Sequence, residues 1–128
     1  MRKLPFMASG KVVSNYDLLL RYVEILERRG RRELIQKTLP NSSDIIYLKD
    51  IVVKGTVKTL DEAIAKMKNR FRERIDVDTA VEAYRSLYNT SISEEEAVDQ
   101  ISRILAGYVI EIAEQLGEIK LRNLEVLR

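Results

Sequence analysis

Twice in this chain a hydroxyl residue stands three places ahead of a glutamate, at the threshold of an apolar stripe: Thr59 with Glu62, and Ser93 with Glu96. In such a capping box the hydroxyl accepts from a backbone N–H inside the helix while the carboxylate reaches back to the cap's own N–H. Both satisfy donors that every helix start leaves bare. The stripes that follow have helical spacing. Leu60, Ile64, Met67, Phe71 and Ile75 form one; Val98, Ile101, Leu105, Tyr108, Ile112 and Leu116 form another, on a helix predicted from Ser93 to about Gly117. Two such signatures commit most of the second half to α-helix.

The rest of the chain is consistent with that. Asp76 or Asp78 caps a further helix on which Val77, Val81, Tyr84 and Tyr88 recur, with Ala80 and Leu87 beside them. Upstream, Ser14 with Asp17 opens a helix whose Leu18, Leu19, Tyr22, Val23, Ile25 and Leu26 cover roughly 160° of a wheel, leaving Leu20 outside. An arc that broad is packed on more than one side. Gly30 ends or bends this helix, and Arg31 to Leu39 continues until Pro40 forbids it.

Residues 45–57 admit two readings. The β-branched density of Ile45-Ile46, Ile51-Val52-Val53 and Thr56-Val57 favours a hairpin turned at Lys49-Asp50 or Lys54-Gly55. The rival is a helix from Asp44 to Val53 stopped by Gly55. The tail from Glu118 is a strand through Ile119 and Leu121 or a short helix through Leu121, Leu124 and Leu127. The expected fold is mainly α: one domain over 1–128, a compact bundle of four to six helices with a small β-hairpin near residues 45–57. Residues 1–13 read as a flexible basic arm.

Composition narrows the chemistry. With 45% hydrophobic residues the chain can bury a core. It has no cysteine and no histidine, which removes disulfides, thiol nucleophiles, thiolate metal sites and the commonest general base from this sequence. The default expectation is a non-enzyme without metal or cofactor. Gly10, Gly30, Gly55, Gly107 and Gly117 lie too far apart for a phosphate-cradling loop. The apolar run Leu4–Ala8 is too short for a secretory signal, and no stretch approaches the ~20 apolar residues of a membrane helix. A cytoplasmic protein is expected. High charge with few thermolabile residues leans toward a thermophilic source.

The uneven charge is the one functional lead. Residues 1–74 hold 17 Lys and Arg against 9 Asp and Glu, a net of +8; residues 75–128 hold 5 against 11, a net of −6. Such a split suggests an anionic partner at one end, or copies meeting head to tail. Arg28, Arg29, Arg31 and Arg32, with Lys37 after them, form the densest cluster; Lys66, Lys68, Arg70, Arg72 and Arg74 form the second. With Leu60 at 0°, Lys68 and Arg72 fall at about 80° and 120° and Lys66 and Arg70 at about 240° and 280°, flanking the apolar stripe on both sides. Arginine forks match phosphate bidentately. No exposed aromatic is interleaved with either cluster, so backbone contact without base readout is expected. The bland alternative is snorkelling or internal pairing.

Ala106, Ile110, Ala113 and Gly117 draw a small-residue line along the last helix, opposite its main stripe. That line fits either self-association or a central helix touched on both sides. The leading functional expectation is a non-catalytic helical subunit of a nucleoprotein complex, or a DNA-coating protein. Its basic N-terminal half would hold nucleic-acid phosphates, and its acidic C-terminal half would contact a protein partner or its own copies. The alternative is a protein-interaction or regulatory adaptor with no nucleic-acid role.

Overall fold

The computed structural model describes residues 16–120 and 125–126. The basic arm and the Ser14 cap lie outside the described residues. Six helices run in chain order: α1 (Asp17–Arg28), α2 (Arg32–Thr38), α3 (Ser42–Val53), α4 (Leu60–Arg72), α5 (Val77–Tyr88) and α6 (Glu94–Gln115). A short antiparallel ribbon follows, β1 (Ile119–Lys120) with β2 (Glu125–Val126), Ile119 facing Val126.

Thr59 and Ser93 both start helices where the sequence places them, but only the Thr59–Glu62 pair closes a full capping box; at Ser93 the hydroxyl bond alone is made. Thr59 accepts from the Glu62 N–H at 3.1 Å, and the Glu62 carboxylate accepts from the Thr59 N–H at 3.1 Å. Ser93 accepts from the Glu96 N–H at 3.2 Å. Asp76, not Asp78, is the cap of α5.

The hairpin expected at 45–57 is overturned. This segment is α3, and its start is decided by Asn41 and Asp44. The Asn41 side chain accepts from the Ser43 N–H at 2.9 Å, and the Asp44 carboxylate accepts from the Asn41 N–H at 2.9 Å. That reciprocal cap outweighs the modest β-preference of Ile and Val. Gly55, at φ +73°, closes α3 in a Schellman turn: its N–H reaches the Val52 carbonyl and that of Thr56 reaches Ile51. Gly30, at φ +70°, closes α1 in the same way. The strand-forming segment is the tail instead.

The core gathers around α6. Every residue from Ile104 to Ala113 is buried. Helix α4 packs along one side of α6, α5 along another, and α1 packs chiefly on α5. Leu18, Leu19, Tyr22, Val23, Ile25 and Leu26 are all buried and Leu20 only partly, as the broad arc implies.

On α5 the buried face is turned from the expected one. Thr79, Ala80 and Ala83 are inside, whereas Val77 and Tyr88 are exposed. Small side chains let α5 approach both neighbours closely, and the larger rings are left at the edge, Tyr84 lying 4.6 Å from Tyr88. Two buried hydroxyls are bonded, Tyr22 accepting the Asp76 N–H at 2.8 Å and Ser102 donating to the Val98 carbonyl at 2.7 Å, whereas the buried Tyr16 hydroxyl has no hydrogen-bond partner among the described residues.

Ala106, Ile110 and Ala113 are fully buried between α6 and its neighbours, while Gly117 lies exposed beyond the helix end. Within one chain this line is core. Ile110→Glu, which sets a carboxylate among apolar side chains, is expected to unfold the protein. Phe71→Ala, which only removes volume, is expected to cost about 3–5 kcal/mol. Urea titration followed by far-UV circular dichroism checks both; an Ile110→Glu chain as stable as the parent would contradict this placement.

Candidate functional site

The ten basic residues singled out in the sequence part into three groups in space. The first lies at the turn from α1 to α2. Arg29 reaches across to α5, pairing with Glu82 and donating to the Thr79 hydroxyl at 3.0 Å. Arg31 pairs locally with Glu33 at 3.4 Å. Arg28 and Arg32 are exposed and make no ion pair among the described residues. Arg28 has a structural reason to be there, because cations favour a helix C-terminus. Arg32 does not: it occupies the positive end of α2.

The second group faces α6. Lys68 and Arg72, on one flank of the α4 stripe, meet Asp99 at 2.8 and 3.3 Å, and Arg103 adds a longer contact at 4.0 Å. The hydrogen bond from Lys68 chiefly holds the Asp99 carboxyl below its ordinary value. Here the positive half of the chain is neutralised by the negative half.

The third group, on the opposite flank of α4, builds a basin of about 610 Å³ open to solvent. Its walls are Lys37 from the end of α2, Tyr47 from α3, and Lys66, Asn69, Arg70, Glu73 and Arg74 on and just beyond α4. Behind it lies Asp44, whose side chain is 0% exposed. Asp44 receives Arg70 Nε at 2.8 Å on Oδ1 and Arg74 Nη1 at 3.1 Å on Oδ2; Arg74 Nη2 also bonds Oδ1, completing a fork. Burial pushes this carboxyl's pKa up, but the hydrogen bonds from Arg74, Arg70 and the Asn41 amide together bring it below the ordinary value.

The guanidinium of Arg70 lies 4.4 Å from the centre of the Tyr47 ring, so it is held by its Nε and by one of its faces. Its two terminal nitrogens have no partner among the described residues. Lys37 and Lys66 also have none, and both are exposed. Thr38 fixes the corner, its hydroxyl 3.1 Å from the Arg74 carbonyl.

Asp44, Tyr47, Asn69 and Glu73 are the members of this site that sequence reasoning missed. Asp44 carried a signal: an acidic residue three places after Asn41 is a capping-box pattern. Tyr47 carried none, since its approach to the basic residues of α4 is tertiary. Among the described residues, no group of three or more acidic side chains could hold a metal ion, and no helix is long and apolar enough to cross a membrane.

The fold is thus a six-helix bundle with a terminal ribbon, and its site is a cation-rich surface basin braced from inside. Set against family models, curated proteins and solved structures, the chain matches none of them.

The bracing has a measurable signature. Because the folded carboxyl of Asp44 titrates below its unfolded value of about 4, its stabilisation is whole above that pH and lost as pH falls through the folded value. Asp44→Asn keeps a side-chain acceptor at the α3 cap and removes the charge. It is expected to cost about 2 kcal/mol at neutral pH and to flatten the decline in stability as pH falls below about 4. Urea unfolding at a series of pH values checks this; an unchanged acid slope would show that Asp44 carries no such coupling.

Proposed function

We propose that this protein is a non-catalytic helical module that binds the phosphate backbone of a nucleic acid. The observation that carries the reading is the basin, where Lys37, Lys66, Arg70 and Arg74 converge from sequence-distant elements and both lysines lack an internal partner. Helix α2 carries the exposed Arg32 at its start, beside the α1–α2 turn, and Lys37 near its end, at the basin. An unpaired arginine at the positive end of a helix disfavours folding locally, which points to a role outside folding.

Lys68, Arg72 and Arg29 are spent on Asp99 and Glu82 and are left out of this surface. The acidic first turn of α6, Glu94 to Glu96, is exposed and makes no ion pair among the described residues. It is the part of the C-terminal half left to meet a protein partner or the next copy of the chain.

A second reading, an adaptor without nucleic acid, draws on α3. Ile46 and Val53 are 66% and 69% exposed, and their spacing places them on one face of the helix. Ile46→Glu with Val53→Glu would abolish a concentration-dependent oligomer in sedimentation equilibrium if that face joins copies.

For the leading reading, fluorescence anisotropy of labelled DNA and RNA across a salt series is the test. Binding is expected to weaken with salt, with a slope of about −0.9 per neutralised phosphate on duplex DNA or about −0.7 on single strands. Replacing Arg28, Arg32, Lys37 and Lys66 together by Ala is expected to weaken binding at least about tenfold and to flatten that slope. No binding at low salt would overturn the reading.

A further inference from the structure

We infer that the basin receives a single phosphate monoester, the end of a strand or a nucleotide, in preference to the internal diesters of a backbone. This rests on the nucleic-acid reading above and narrows it to one ligand chemistry at one guanidinium.

The first reason is preorganisation. Arg70 is pinned on two sides, by its Nε to a carboxylate with no exposure and by its face to the Tyr47 ring. Both terminal nitrogens remain without a partner among the described residues, and the side chain is 28% exposed. A free arginine must be ordered before it can grip an oxyanion; one already held loses less conformational entropy on binding. Its two remaining nitrogens present parallel N–H donors, the fork that matches two oxygens of a phosphate.

The second reason is charge. Lys37, Lys66, Arg70 and Arg74 bring four positive charges, and Glu73 in the wall and Asp44 behind it bring two negative ones, leaving a net +2. A phosphate monoester carries about −1.5 to −2 at neutral pH, whereas a diester carries one charge. Lys37 and Lys66 approach from two different helices, and a terminal phosphate offers three oxygens to be met from several directions. A backbone diester offers only its two unesterified oxygens.

The experiment uses the full chain and three versions of one short single-stranded oligonucleotide, bearing a 5′-phosphate, a 3′-phosphate or hydroxyls at both ends. Anisotropy is measured for each, and adenosine monophosphate and inorganic phosphate are added as competitors. One of the phosphorylated strands is expected to bind about tenfold more tightly than the hydroxyl strand, as one charge-assisted fork allows. That preference should shrink as pH falls through about 6, where the monoester takes up a proton. Arg70→Lys, which keeps the charge but loses the fork, should bring the phosphate-to-hydroxyl ratio close to one. Should that variant not fold, Lys66→Ala, at an exposed and unpaired position, should reduce the ratio about threefold.

Equal binding of all three strands overturns the inference and leaves the backbone reading standing. Competition by the mononucleotide without binding of any strand supports the monoester site and overturns the nucleic-acid reading. A ratio insensitive to both variants places the preference elsewhere on the molecule and overturns the assignment to the basin. No binding of any probe overturns both.

Discussion

Helix α6 has no solvent-facing stripe along its middle, and the rest of the molecule is arranged to cover it. Its buried run from Ile104 to Ala113 includes Leu105, Tyr108 and Ile110, with the small Ala106 and Ala113 allowing close approach. Burying each such side chain is worth roughly 1.5–3 kcal/mol, so the helix folds only inside its partners. Those partners come from both halves of the sequence: α4 from the basic part, α5 from the acidic part, with α1 in turn against α5. Interleaving of the halves is therefore a consequence of covering one apolar helix.

That interleaving disposes of much of the charge asymmetry. Wherever a basic helix lies along an acidic one, pairs form across the seam: Arg29 with Glu82, Lys68 and Arg72 with Asp99, Lys49 with Glu118. These contacts are partly exposed, and each contributes little to stability. Their importance is subtractive, because they withdraw cations from the surface. Of the ten basic residues, those left without an ion pair among the described residues are Lys37 and Lys66 at the basin and Arg28 and Arg32 at the α1–α2 turn.

Asp44 joins the fold to that site. The same carboxylate caps α3, forks onto Arg74 and holds Arg70 by its Nε. A carboxylate with no exposure is costly unless its lone pairs are fully engaged, and here they are. Three segments, the α2–α3 turn, α3 and the end of α4, are thereby brought to a common corner. Stabilising contact and preorganised surface meet in Arg70, whose Nε neutralises Asp44 while its terminal nitrogens stay unpartnered among the described residues; Arg74 gives both of its terminal nitrogens to Asp44.

The helix starts at Thr59, Asp76 and Ser93 were legible because capping is local, decided by side chains within three residues of the backbone they satisfy. The α1 arc was legible for the same kind of reason, since which residues share a face depends only on helical geometry. At residues 45–57 β-branched density points to strands while the reciprocal cap of Asn41 and Asp44 points to a helix, and the cap prevails. The buried face of α5 was beyond reach: Val77 and Tyr88 are more apolar by type than Thr79 and Ala80, but only small side chains fit between α1 and α6. The basic residues could be named from the sequence, and their sorting could not. Lys68 and Arg70 are two positions apart on α4, yet one meets Asp99 of α6 and the other Asp44 of α3. Outside residues 45–57, sequence alone determined which segments are helical, nearly where they start, and which residue types are on hand for chemistry, because those follow from interactions over a few residues. Which cations are paired and which are left unpaired on the surface was decided only by tertiary structure, because a charge 26 residues away in the chain, as Asp44 is from Arg70, becomes a neighbour only when the core closes.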